Sequence, residues 1–280
     1  MAIRALARAK INLALHVTGQ RADGYHTLDS LVAFADFGDQ ITVAASTHLS
    51  LTLTGRFSDV LDNGPDNLVL RAARLLDPAR GAAITLEKNL PVASGIGGGS
   101  ADAAATLRAL SDLWAVPLPP VDQILPLGAD VPVCLAGTFA RMTGIGDIVT
   151  PLDQFLPVAW LVLVNCGLPV STPEVFQNLR WRDNAPLPAE IPRFADVASL
   201  AKFLTDQRND LELSAMESCP EIAEIPFMMA DYNGCLFTRM SGSGGTCFGI
   251  FDSFTNADLA SHHLKHRNPG WWIQAAHLVS

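Results

Sequence analysis

The chain has 280 residues, 49% of them hydrophobic, with 19 basic against 28 acidic side chains and a formal net charge of -9. That is enough chain for one large or two ordinary domains with a full core. The negative balance excludes a general nucleic-acid or anionic-membrane surface, so any phosphate site must be local. Five widely spaced cysteines with no CxxC pair exclude a disulfide framework and a zinc site, and read as buried thiols of a reducing cytoplasm.

The first residues carry Arg4, Arg8 and Lys10 but little serine, and the basic side chains interrupt any signal-peptide core, so they read as mature protein. Residues 3–17 and 40–54 are rich in β-formers, and "LSLTLT" alternates with period two as a half-solvated strand does. Between them "GQRADGYHTLDS" supplies turn residues, then Tyr25 and His26, and an apolar run, "LVAFADF". From Asp66 to Leu76, Leu68, Ala72 and Leu75 share a helical face, with Asp66 or Asn67 suited to cap it. "AAITLEKNL" is a further strand.

Next comes "PVASGIGGGSADAAA", whose bare backbone costs conformational entropy that a close approach of backbone N–H groups to a ligand would offset. Ala103, Leu107, Leu110 and Trp114 then recur at helical spacing until "VPLPP" ends the helix. A glycine turn opening into a helix N-terminus is suited to phosphate. Neither the Walker pattern G-x-x-x-x-G-K-[ST] nor a strand-adjacent G-x-G-x-x-G is present.

"GADVPVCLAG" has a turn-like start and an apolar continuation; Asp130 there suits a helix N-cap just before Val131 and Pro132. The pattern resets near Pro151 to Pro157, which places a domain boundary between residues 1–152 and 153–280. The charge-free run from Gln154 to Pro173 is broken by prolines and a glycine, so it reads as strand and loop rather than a membrane span. A helical stretch from Asp196 to Leu213, a second glycine turn in "MSGSGGTCFGIF", and a final helix, turn and strand complete the chain. Strands and helices follow no regular βαβ rhythm, so the fold class is α+β.

In order and spacing, "ARAKINLALHV", "PVASGIGGGSADAAATLRAL" and "MSGSGGTCFGIF" resemble the three signature motifs of the GHMP small-molecule kinases. "GQRADGYHTL", "DNLVLRAARLL" and "LGADVPVCLAG" are similar to the branch that phosphorylates a diphosphocytidyl-linked methylerythritol in the non-mevalonate isoprenoid pathway. The likeness covers nearly the whole chain. It implies a two-domain α+β fold, ribosomal-protein-like in its N-terminal domain and ferredoxin-like in its C-terminal one.

The resemblance further implies an ATP-binding set of Gly97, Gly98, Gly99 and Ser100, with Pro91 and Gly95 ahead of them and Asn67 at the adenine. It implies that Ser100 is near the Mg2+ that ATP brings, that Asp130 is the catalytic base, and that Lys10 orients the acceptor hydroxyl. Asn12, two residues along the same strand face, would bond the substrate. Tyr25, His26 and Phe176 match the part of the family that holds the cytosine ring, and Thr172 is a lesser candidate for the substrate's polar groups.

In isolation Lys10 reads as a solvated strand lysine, Tyr25 as a surface turn residue and Phe176 as core. Position 32 is Val32, where some members line the cytidine pocket with an aromatic residue. Homoserine- or mevalonate-type kinases are the rival reading, and they have no use for the aromatic set; a silent nucleotide-binding protein would not need both Lys10 and Asp130. The expected protein is a cytoplasmic monomer or homodimer, without nucleic-acid or membrane partners.

Overall fold

The computed structural model describes residues 2–280. In chain order its elements are β1 (Ala2–Gln20), β2 (His26–Ala45), β3 (Ser50–Thr54), α1 (Leu68–Leu76), β4 (Ala82–Glu87), α2 (Gly98–Trp114), α3 (Val121–Ile124), α4 (Val131–Ala136), β5 (Ala140–Gly144), β6 (Ile148–Pro151) and β7 (Trp160–Asn165). There follow α5 (Thr172–Gln177), α6 (Val197–Thr205), α7 (Glu212–Ser218), α8 (Glu221–Ala230), β8 (Cys235–Met240), β9 (Thr246–Phe251), α9 (Phe254–Arg267) and β10 (Trp272–Val279). The chain forms two compact units. The first comprises residues up to Lys10, Phe37–Val92 and Gly97–Gly137; the second comprises Ile11–Asp36, Ala93–Ile96 and Thr138–Ser280.

In the first unit, the later part of β2 pairs antiparallel with β4, and β3 pairs parallel to β4. Parallel neighbours need a crossover, which α1 supplies between them. Asn67 caps α1 by accepting from the Val69 backbone N–H, so the second of the two cap candidates is the one used. Helix α1 buries Val69, Leu70, Ala72 and Ala73 and packs against α2. From Ala101 to Leu107 every residue of α2 is buried, whereas Gly98–Ser100, which open it, are not. Gly97, at φ +66°, is its N-terminal flank, and Ala115 closes it in the left-handed region two residues before Pro117.

The second unit is an antiparallel sheet in which β10 lies between β7 and the Phe34–Ala35 part of β2, followed by β9 and β8. Every residue of β9 is buried. Its core joins Leu15 and Val17 to Val162, Val164, Ile222, Met229, Phe251, Leu264 and Ile273, with α8 and α9 laid on the sheet. A separate ladder joins Leu28–Val32 of β2 to β5, and β5 to β6.

The apolar run after Tyr25 lies within the 20-residue β2, which pairs in turn with β5, β10 and β4. One local reading of the sequence is corrected. The helix expected over 196–213 is two, α6 and α7. Between them the backbone bonds to β1 instead: Leu15 N–H donates to Arg208 O and Asp210 N–H donates to Leu15 O. A chain whose amides are claimed by a neighbouring strand cannot continue a helix through them.

Candidate phosphoryl-transfer and cytidine sites

In the first unit, Lys10 is buried at the end of that unit's share of β1, and its Nζ donates to Asp130 Oδ2 at 2.7 Å. Asp130 sits just before α4, the position of an N-cap, yet its side chain makes no capping bond. Its carboxylate is given to Lys10 instead. The side chain of Lys10 also runs beside the glycine turn: a Cβ added to Gly97 would lie 3.2 Å from Lys10 Cβ and 3.3 Å from Cε. Ser100, in the first turn of α2, lies near Gly128, two residues before Asp130. Gly99 lies against Leu68, the residue after Asn67, so the α1 N-terminus and the glycine turn are neighbours. Pro91 is buried ahead of the turn.

Beneath the turn is an ion cluster that sequence reading missed. Lys88 Nζ donates to Asp39 Oδ2 at 2.5 Å and to Asp102 Oδ2 at 2.7 Å, and all three side chains are under 5% exposed. Asp39 Oδ1 also accepts from the backbone N–H groups of Asn89 and Leu90. Asp102 Oδ1 is buried with no partner. Burial, outweighing the pull of Lys88, pushes the Asp102 carboxyl up to about 8. For Lys88 burial works the other way, but the two carboxylates prevail and hold its ammonium above the ordinary value. Cys134, whose N–H donates to Asp130 O within the first turn of α4, is buried, and burial pushes its thiol up to about 12.

In the second unit, Asn12 N–H donates to Ser241 Oγ, and Asn12 Nδ2 donates to Ser30 Oγ at 2.8 Å. Asn12 Oδ1 is buried and unpartnered. Ser241 Oγ donates onward to Gly95 O, and a Cβ on Gly95 would come within 2.6 Å of Gly244 O. The third motif thus braces the first glycine of the second motif by backbone contact. Thr172, at the start of α5, shares a 2.6 Å hydrogen bond with Ser243 of the third motif.

One helical turn after Thr172, the ring of Phe176 stacks on His26 with centroids 5.1 Å apart and planes 25° from parallel. That is an ordinary ring-to-ring separation. There is consequently no gap for a base between these two rings. Tyr25 stands exposed on the turn before β2, and Val32 is wholly buried in the ladder with β5. His26 Nε2 is buried without a partner. Burial, helped by the charge of Arg182, lowers the His26 pKa, so the ring is neutral at physiological pH.

Comparison with known proteins shows the family. The GHMP kinases N terminal domain model matches residues 67–150 and the GHMP kinases C terminal model matches 190–270, together more than half the chain. A 4-diphosphocytidyl-2-C-methyl-D-erythritol kinase of Cereibacter sphaeroides is 57% identical over 98% of this chain and 99% of its own. The enzyme of the same name from Ruegeria pomeroyi is 56% identical over 97% and 98%. This chain belongs to the 4-diphosphocytidyl-2-C-methyl-D-erythritol kinase family of the GHMP kinases. A crystal structure of a 4-(cytidine 5'-diphospho)-2C-methyl-D-erythritol kinase matches with a TM-score of 0.79 at 32% identity, over 99% of this chain and 100% of that one. The homoserine kinase of Cytophaga hutchinsonii, at 17% identity and TM-score 0.70 over 99% and 95%, shares the fold alone. The two-domain α+β expectation is met, and no helix among the described residues is long and apolar enough to cross a membrane.

Proposed function

We propose that this protein transfers the γ-phosphoryl group of ATP to the 2-hydroxyl of 4-diphosphocytidyl-2-C-methyl-D-erythritol, releasing ADP. The observation that carries the reading is the Lys10–Asp130 pair beside Gly97, in a chain 57% identical to a kinase of that name. Phosphoryl transfer needs positioning, neutralisation of phosphate charge and a group to take the hydroxyl proton. Backbone N–H groups of Gly97–Gly99 and the start of α2 suit the phosphates, Lys10 lowers the cost of ionising the alcohol, and Asp130 takes the proton. Asn67 and Pro91 border the purine.

Magnesium fits this set in a limited way. Among the described residues no cluster of three metal-ligating side chains exists, and the nearby carboxylates are occupied by lysines. The ion is therefore one that ATP carries on its own oxygens, with the Ser100 hydroxyl as a hard oxygen ligand. When bound it neutralises developing phosphate charge.

For the cytidine, the neutral imidazole of His26 offers one donor and one acceptor to a base edge, with Tyr25 and Phe176 as the stacking surfaces. Asn12 and Thr172 serve the polar groups of the substrate. An alcohol without a nucleobase would leave these groups unused, which disfavours homoserine and mevalonate as acceptors. Five free cysteines suit a reducing cytoplasm, and a monomer or homodimer is sufficient for this chemistry.

The test is ADP release by the purified protein with Mg-ATP and the diphosphocytidyl substrate, beside homoserine and mevalonate. Turnover confined to the first supports the reading. Turnover confined to either of the others overturns it.

A further inference from the structure

The Lys88 cluster takes no part in the chemistry above, and burial of charge on this scale is costly. Three ionisable side chains are withdrawn almost completely from water, and one of them, Asp102, has its carboxyl pushed up to about 8 by that burial. Replacing such a buried set with apolar residues of like volume is commonly neutral or stabilising, so stability alone does not account for it. Its placement is more informative. Lys88 follows β4, Asp39 lies in β2, and Asp102 is one turn into α2, so a single ammonium joins three separate pieces of the first unit.

The glycine turn rests on that ammonium. A Cβ on Gly98 would stand 3.1 Å from Lys88 Nζ, 3.7 Å from Leu90 Cβ and 3.8 Å from Asp39 Oδ2. Lys88 is itself held by its main chain, its N–H donating to Thr54 O at 2.7 Å and its C=O accepting from Phe57 N–H. Asp39 is fixed by the two backbone donors at residues 89 and 90. The ammonium is thus located by β-structure on one side and grips the first turns of α2 on the other.

We propose that Lys88 is a positioning residue for nucleotide binding, which holds the Gly97–Gly99 turn and the α2 N-terminus in the shape that accepts phosphate. This rests on the reading of that turn as the phosphate site. Loss of the grip lets the turn relax toward conformations in which its N–H groups no longer converge, and the entropy of ordering it falls on ATP binding. The expected signature is a rise in the KM for ATP of about tenfold, equivalent to about 1.4 kcal/mol, with the KM of the cytidine substrate unchanged. A purely structural role would lower the melting temperature without separating the two KM values.

Two replacements test this in the full-length chain. Lys88→Met with Asp102→Leu removes the ammonium together with the α2 carboxyl it grips and leaves Asp39 on its backbone donors; Lys88→Gln keeps a donor, one bond too short to reach both carboxylates. Circular-dichroism melting and steady-state KM values for both substrates are measured for each, with Gly97→Ala as a separate probe of the turn. Folded Lys88 variants with a raised KM for ATP alone support the proposal. Wild-type KM values in a folded Lys88 variant overturn it, as does failure of both replacements to fold, since the role claimed is in the turn and not in the fold. If Gly97→Ala raises the KM for ATP while the Lys88 variants do not, only this inference falls. If Gly97→Ala has no effect, the phosphate-site reading falls and takes the inference with it.

Discussion

The site groups of the two units differ in what holds them. In the first, two buried lysines are ion-paired, Lys10 with Asp130 and Lys88 with Asp39 and Asp102, and one carboxyl oxygen, Asp102 Oδ1, is left without a partner. In the second, the groups matched to the substrate are buried and waiting: Asn12 Oδ1 and His26 Nε2 have no partner. A buried polar atom without a partner costs about 1–3 kcal/mol. Ion pairs in the first unit fix geometry and charge within the chain, whereas the orphaned atoms of the second are, on the proposed function, the ones a substrate would partner.

The difference can be broken at four places. Asp130→Asn should lower kcat by about 10²-fold or more while leaving both KM values within a small factor; unchanged turnover would remove Asp130 from the chemistry. Phe176→Ala should raise the KM of the cytidine substrate about tenfold, in keeping with the worth of base stacking, with the KM for ATP constant. If both constants rise together, the aromatic residue is acting through the fold.

Asn12→Leu is a sharper test of the waiting atoms. It removes a buried unsatisfied acceptor and, against that, the bond to Ser30 Oγ, so the melting temperature should change little, while the cytidine-substrate KM increases roughly fivefold, as for one lost hydrogen bond of about 1 kcal/mol. A fall in stability with no change in KM would mean that Asn12 is structural.

The smallest effect is in pH. His26 has a folded pKa below its usual 6.5, so the folded state binds fewer protons than the unfolded chain in the window just below that value. Its contribution to stability is therefore present above 6.5 and lost as pH falls through the folded pKa. Protonation also converts the ring's acceptor into a second donor. The KM for the cytidine substrate should be flat above neutrality and climb below pH 6.5, and His26→Gln should flatten the profile.

Much of this was legible in the sequence because it is local. Helical spacing gave α2, residue type narrowed the α1 cap to Asp66 or Asn67, and the glycine turn announced itself by composition. The role of Asp130 was not decidable locally, since aspartate before Val-Pro is as good a cap as a base; only the fold shows its carboxylate turned to Lys10, 120 positions away. The Lys88 cluster was invisible for a related reason. Its carboxylates are 49 and 14 residues distant, with no fixed spacing to mark them, although Asp102 stood within a motif that had been read. In residues 207–211 the turn-forming Asn209 and Asp210 were a local signal, and Asn209 Oδ1 accepts from Leu211 N–H, but the pairing with Leu15 far upstream has no local mark.

The helix turn that carries Asp130 also hides a thiol. With its proton held up to about pH 12 by burial, Cys134 is not a nucleophile where it sits. It becomes one only in those molecules whose α4 has opened to water. The rate at which a small alkylating reagent labels Cys134 is accordingly a clock for local unfolding at Asp130, distinct from global melting. Slowing of that clock by bound nucleotide would measure, in free energy, how far ligand binding is coupled to the rigidity of the turn that holds that carboxylate.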